Sequence, residues 1–316
     1  MKANRSDLLL LITVLLAPLF ALAATVVQSV ALLADYDAGS GYYGHGTLLF
    51  HMTSVLIAAA CAFFLILSLI ARRKITAVPD TVGLSVLFSG SFLTLSMVAT
   101  ASVLFMELAR TEDAQSRFFL LLIALAAISS FIYMALTLCG KQSSRLRMAL
   151  SVGPIFYALF SAMYLYFIPN VQINAPVKLL NILALLAIAL FSLSECRVVI
   201  GRAKPALHLF VTSCALVITA AASIPALIYC AARLTTPVIP MSTVGDFTLF
   251  AFFLYILARL ITLLPAKTAP LLHRMVAVFA KRTEESAEEE NEEPTQESMS
   301  FDTDTDVQPT DGENAK

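Results

Sequence analysis

Tryptophan is absent from this chain, and charged residues make up only 14% of it. Apolar residues account for 59% of the 316 positions. A single water-soluble core cannot hide so large an apolar fraction, so a soluble globular fold is excluded. Runs of about 18 or more apolar residues indicate transmembrane helices. The short alternating segments that are typical of a transmembrane barrel do not occur.

Catalytic motifs are missing as well. The chain has no HExxH, no GxSxG and no phosphate-binding glycine-rich loop. Its five cysteines are scattered without a CxxC or a Cys/His cluster, which favours packing over a disulfide framework or a zinc site. We therefore expect no cofactor, no metal and no nucleic-acid partner.

Eight apolar runs are each close to the length that crosses a bilayer core of about 30 Å. They predict an all-α, polytopic transmembrane bundle with spans at 8–34, 48–71, 82–106, 118–139, 149–168, 179–200, 206–231 and 247–264. The first run is overlong, which favours a tilt or a bend at Pro18. It is open to two interpretations, since a cleaved signal could end at the ALA of 21–23, whereas an uncleaved anchor explains why the run continues to Ala34. We favour the anchor.

Basic residues alternate from one connection to the next. Clusters of them follow the second, fourth, sixth and eighth runs, and Lys2 and Arg5 precede the first. The intervening connections hold at most two bases each. By the positive-inside rule, both termini and all the base-rich connections are cytoplasmic.

The net charge of −1 conceals an acidic tail on a basic body. Residues 284–316 hold thirteen acids and one base. We divide the chain into a bundle at 1–268, an amphipathic interfacial helix at 269–282 and a disordered acidic tail at 283–316. The basic loops, the interfacial helix and the tail are candidate surfaces for a membrane or cytoplasmic protein partner, beside the lipid bilayer itself.

The stretch ADYDAGSGYYGHGTLLFH, at 34–51, brings together residue types that bind divalent metals. The candidates are Asp35, Asp37, His45 and His51. Their spacing matches no ligand motif, so we predict mainly a connector and name them as weak ligand candidates. A second candidate feature is the hydroxyl-rich third run, whose Ser89, Ser91, Thr94 and Ser96 could line a path for a neutral substrate, although tight helix packing explains them more simply.

Only Glu195 and Arg259 are charges placed well inside apolar runs. Each lies about two turns before the bases that mark the cytoplasmic end of its run, so the two should sit at similar depth. Opposite charges in a bundle tend to meet, and His208 at the start of the seventh run would be nearby. The alternative is that Arg259 reaches the cytoplasmic headgroups and Glu195 pairs with a loop base.

These features predict a non-enzymatic assembly or signalling component of a bacterial cytoplasmic membrane that acts through its cytoplasmic face. The alternative is a permease or a lipid-handling carrier for a neutral or amphipathic molecule, and an intramembrane enzyme comes third. A dry, closely packed centre would favour the first function, and a hydroxyl-lined cavity that opens to one side would favour the second.

The distribution of bases makes the topology testable with fused reporters. A reporter placed after Lys74, after Arg147 or at the C-terminus is expected to report cytoplasm, and one placed within 38–46 or 169–177 to report the outside. A base-rich connection found outside would contradict this orientation.

Overall fold

The structure is a computed structural model that describes residues 5–37, 41–44, 47–72, 78, 82–140, 145–167, 175–233 and 243–264. Its elements in chain order are α1 (Arg5–Asp35), β1 (Tyr36–Asp37), β2 (Tyr42–Tyr43), α2 (Thr47–Ala71), α3 (Leu84–Arg110), α4 (Ala114–Leu138), α5 (Arg145–Leu150), α6 (Gly153–Phe167), α7 (Pro176–Val199), α8 (Pro205–Arg233) and α9 (Thr243–Thr262).

Eight spans in the described part of the chain are long and apolar enough to cross a membrane. The all-α bundle predicted from the sequence is therefore confirmed, and the chain is a multi-pass membrane protein. Seven of the spans belong to single helices, and the fifth, Arg145–Phe167, consists of α5 followed by α6. The interfacial helix predicted at 269–282 and the acidic tail predicted at 283–316 lie outside the described residues and stay predictions.

Several spans begin earlier than the apolar runs that predicted them. The fourth begins at Ala114 instead of 118 because Asp113 caps α4, accepting the backbone N–H of Ser116 at 2.8 Å. The sixth begins with Pro176, which suits the first position of a helix because its N–H is not needed there. Counting apolar residues misses these starts, since first turns are often polar.

The fifth span is interrupted where a proline follows a glycine. Pro154 has no N–H to donate to the carbonyl of Leu150, so the α5 ladder cannot continue through it. A turn at 151–152 separates the two helices. At Gly153, a Cβ would lie 2.6 Å from Oγ of Ser129 and 2.9 Å from the backbone nitrogen of Ser130 in α4. Only a glycine lets α6 approach α4 this closely.

Six of the spans form a closed ring. Going around it, α3 packs on α4, α4 on α6, α6 on α7, α7 on α8, α8 on α9, and α9 returns to α3. Helices α1 and α2 lie beside this ring, where each packs on the other and on α8. Because α8 belongs to both groups, it is the most enclosed of the described spans, with 72% of an 18-residue apolar stretch buried.

Small residues allow α8 to hold this central position. Its Thr219, Ala222, Ser223 and Ala226 lie at small-residue spacing and are all buried. The two hydroxyls bond to their own helix, since Thr219 donates to the carbonyl of Ala215 at 2.6 Å and Ser223 to that of Thr219 at 2.7 Å. Close helix packing, the simpler explanation of these residues, is what they provide.

The first span is a packed helix of the bundle. It runs without interruption through Pro18 to Asp35, and Ala17, Ala21 and Ala24 on it are buried. The helix packs along α8, and its retention as an anchor stays a prediction.

The close crossing at Gly153 leads to a test of packing. Gly153→Ala should destabilise the bundle by about 1–3 kcal/mol, because the added methyl meets backbone that cannot move aside. The measurement is the thermal unfolding midpoint of the purified protein in detergent. Gly90→Ala is the matched control, since its methyl would meet only the mobile end of Leu138 at 2.9 Å. Equal midpoints for the two variants would contradict the argument.

Candidate functional site

Helices α7 and α9 each place one buried charge near the end that the base distribution assigns to the cytoplasm. Glu195 lies one turn before the end of α7, and Arg259 lies one turn before the end of α9. The Nε of Arg259 donates to Oε1 of Glu195 at 3.0 Å, and both residues are at most 5% exposed. The structure therefore brings together the two charges whose matched depths were predicted from the sequence, and the side chain of Arg259 is buried inside the bundle.

His208 lies beside this pair, in the first turns of α8. Its Nε2 is 3.5 Å from Oε1 of Glu195 and has no hydrogen bond of normal geometry among the described residues. Its other ring nitrogen, Nδ1, is 2.8 Å from Oγ of Ser194, the neighbour of Glu195 on α7. The imidazole is thus held between two consecutive residues of α7, and it links the ends of α7 and α8.

A second arginine extends the group to α4 and α5. Arg147 is 1% exposed, and its Nε donates to Oγ1 of Thr137 at 3.1 Å. Tyr255 is buried and lies close to Glu195, Arg259, Tyr133 and Arg147. We call these residues the charged cluster; its members are Tyr133, Arg147, Glu195, His208, Tyr255 and Arg259.

A small cavity lies inside the ring next to the charged cluster. It measures about 10 Å³, room for about one water molecule. Its lining comes from five of the six ring spans and comprises Leu93, Tyr133, Met134, Ser151, Pro154, Phe191, Ser192, Glu195, Phe252 and Tyr255. Because the cavity is this small, this part of the interior is closely packed.

The contacts of the charged cluster hold helix ends together. Moving one charge from water to a bilayer interior is costly, and a paired, hydrogen-bonded arrangement recovers much of that cost. Separation of α7 from α9 would break the ion pair of Glu195 and Arg259, and separation of α5 from α4 would break the bond of Arg147 to Thr137. The arrangement therefore favours one closed packing at the end of the ring that the base distribution assigns to the cytoplasm.

Other polar residues are buried toward the outer half of the ring. Thr100 on α3 and Thr248 on α9 share a hydrogen bond of 2.6 Å, and the hydroxyl of Tyr157 on α6 joins them. Asn181 on α7 is fully buried, and neither atom of its amide has a hydrogen-bond partner among the described residues. Lys178 and Asp246, near the outer ends of α7 and α9, are also buried.

The described residues of the stretch at 34–51 include a small two-stranded ribbon between the end of α1 and the start of α2. β1 and β2 pair antiparallel, with Tyr36 opposite Tyr43. Nε2 of Gln28 donates to the hydroxyl of Tyr43 at 2.9 Å, and the ring of Tyr36 meets that of Tyr229 on α8 edge-on. Burial raises the pKa of the Tyr36 hydroxyl, and the nearby Tyr229 and Asp37 raise it further, to about 12. The hydroxyl therefore stays protonated.

The weak ligand candidates of this stretch hold different positions. Asp35 ends α1, Asp37 is exposed on β1, and His51 is exposed one turn inside α2. His45 lies outside the described residues. Within the described residues, no group of three or more His, Cys, Asp or Glu is placed to hold a metal.

The hydroxyls of α3 do not share one side of the helix. Ser89 and Ser96 are buried, Thr94 is half-buried and Ser91 is exposed. All four donate to carbonyls of their own helix, at distances between 2.6 and 2.9 Å. Such bonds already use the hydroxyl protons, so these residues form no continuous polar lining.

Sequence reasoning missed several buried polar residues because they stand near the ends of apolar runs. Arg147 was counted among the loop bases, yet it points inward while Arg145, Leu146 and Met148 on α5 are exposed. An arginine directed inward with apolar neighbours directed outward fits a helix at the edge of lipid. Lys178 and Asp246 gave no signal, since a charge at a span end is ordinarily solvated.

Comparison of the chain with protein-family models, with curated proteins and with solved structures finds no match. The function must therefore be argued from the cluster and the packing around it.

The ion pair predicts a specific pattern of mutant effects. Glu195→Gln and Arg259→Gln should each destabilise the protein by about 3–5 kcal/mol, because each leaves one buried charge without its partner. Exchange of the two charges, Glu195→Arg with Arg259→Glu, should restore part of the loss. Thermal unfolding midpoints in detergent provide the measurement.

The matched control is Glu107→Gln, which makes the same chemical change at the outer end of α3 and should have little effect. Additive losses with no restoration in the exchanged variant would show that the contact contributes nothing to stability.

Proposed function

We propose that this protein is a non-enzymatic assembly or signalling component of a bacterial cytoplasmic membrane, acting through its cytoplasmic face. The observation that carries the proposal is the charged cluster, which joins α7, α8 and α9 through Glu195 and α5 to α4 through Arg147, on the side where the bases gather. A face held in one arrangement is suited to presenting a fixed surface to a protein partner.

The packing inside the ring supports this proposal over transport. Next to the cluster there is room for about one water molecule. A carrier site for a small molecule usually occupies several hundred Å³ and opens to one side. The hydroxyls of α3 that could have lined such a path bond to their own backbone instead.

One observation favours the second candidate, a carrier. Asn181, Lys178 and Asp246 are buried within the ring helices, and polar groups inside a membrane protein commonly mark a substrate path. If these residues and the charged cluster gate opposite ends of one path, the interior must open to each side in turn.

Thiol labelling distinguishes the two functions. With the five native cysteines replaced by alanine, Ser192→Cys reports on the inner half of the ring and Ser161→Cys on the outer half, since both serines are buried. We expect neither to react with a membrane-impermeant maleimide applied from either side. A variant that keeps Cys139, which is exposed, is the positive control.

Labelling of Ser192→Cys from the cytoplasm together with Ser161→Cys from the outside would contradict a closed ring and favour the carrier. The same pair should be examined with Glu195→Gln, because loss of the ion pair would open the inner half of a carrier but only destabilise a fixed component.

A further inference from the structure

A groove lies outside the ring where α2 ends against the start of α8. Its volume is about 530 Å³. Its lining includes Leu65, Ser68, Leu69, Arg72, Lys204 and Leu207. Both helix ends lie on the side that the base distribution assigns to the cytoplasm, so the groove opens at the cytoplasmic membrane surface.

One hydrogen bond between the helices fixes the floor of the groove. Oγ of Ser68, which is nearly buried, donates to the carbonyl oxygen of Ala206 at 2.7 Å. This bond holds the last turn of α2 to the first turn of α8. The groove is therefore held by contacts between α2 and α8, and its shape does not depend on the loop between α2 and α3.

The two ends of the groove differ in chemistry. Leu65 and Leu69 on α2 and Leu207 on α8 are exposed apolar residues on the bilayer side. Arg72 and Lys204 are exposed bases at the cytoplasmic rim. Arg72 follows Leu65 and Leu69 at helical spacing, so the charge stands directly above the apolar wall.

The start of α8 adds a further attraction for an anion at the rim. The carbonyl of Lys204 accepts the N–H of His208 at 2.9 Å, which makes Lys204 the residue that caps the helix. Pro205 at the first position of α8 has no N–H, but the N–H groups of Ala206 and Leu207 have no acceptor within the helix and carry its partial positive charge. An anionic group between Arg72 and Lys204 would lie near this helix end.

We propose that this groove binds one anionic phospholipid of the cytoplasmic leaflet. The phosphate lies between Arg72 and Lys204, and the acyl chains run along Leu65, Leu69 and Leu207. A basic pocket between helices at this depth is suited to an anionic headgroup. The apolar wall selects a lipid over the acidic segment 284–316 of this chain, which has few apolar residues to place against it.

The absence of native tryptophan allows a direct test with a single introduced reporter. The full chain carrying Leu69→Trp is reconstituted in nanodiscs of phosphatidylcholine in which about one lipid in five is the anionic phosphatidylglycerol. The bromine label is placed on the chains of one lipid or the other, and the quenching of the tryptophan reports which lipid lies beside it.

We expect brominated phosphatidylglycerol to quench Leu69→Trp as if its ratio to phosphatidylcholine beside the tryptophan were at least about fivefold the ratio in the whole bilayer, the factor that one surface base contributes. Phe88→Trp is the matched control, because Phe88 is an exposed residue of α3 about one turn from the same membrane surface. It should show no enrichment.

Arg72→Gln with Lys204→Gln should abolish the enrichment at Leu69→Trp, whereas Arg110→Gln at the outer end of α3 should leave it unchanged. Equal quenching at both tryptophans, or enrichment that survives the double variant, would overturn the proposal. Enrichment that appears only after deletion of 284–316 would also overturn it, since the tail would then be the occupant.

Discussion

The contact between Glu195 and Arg259 is the interaction on which the inner half of the ring depends. A buried charge in a membrane protein is costly unless a partner and hydrogen bonds compensate it. Here Oε1 of Glu195 accepts from Arg259 at 3.0 Å and lies 3.5 Å from Nε2 of His208. Three helix ends are thereby tied to one carboxylate, and α7 and α9, which otherwise touch little, are linked across the ring.

The rest of the bundle follows from how helices pack without a hydrophobic driving force between them. In lipid, an apolar side chain gains little free energy by exchanging lipid contacts for contacts with another helix. Close packing and interhelical polar contacts therefore decide which helix faces meet. Small residues on α8 and Gly153 on α6 permit close approach. Leucine and phenylalanine side chains on α2 and α3 remain exposed, as suits helices at the edge of lipid.

The two ends of the ring hold different polar groups. At the inner end, Glu195 and Ser194 on α7 contact Arg259 on α9 and His208 on α8, and Arg147 on α5 contacts Thr137 on α4. Further out, Asn181 keeps an amide without a hydrogen-bond partner among the described residues. Unsatisfied polar atoms cost free energy that a purely structural helix would avoid. This contrast is why the inner end fits a fixed joint, and why Asn181 keeps the carrier as the second candidate.

The sequence by itself determined the number of spans, because a bilayer of known thickness demands apolar runs of fixed length. It also indicated that Glu195 and Arg259 lie at a similar depth. Each precedes the bases at the end of its run by about two helical turns, and the fixed rise per residue of a helix turns that spacing into a distance. Only the tertiary structure decided that Arg147, Lys178 and Asp246 are buried and that six spans close into a ring. A charge at the end of an apolar run has the same sequence signature whether it faces water or a neighbouring helix, and which helices are neighbours depends on packing between segments far apart in the chain.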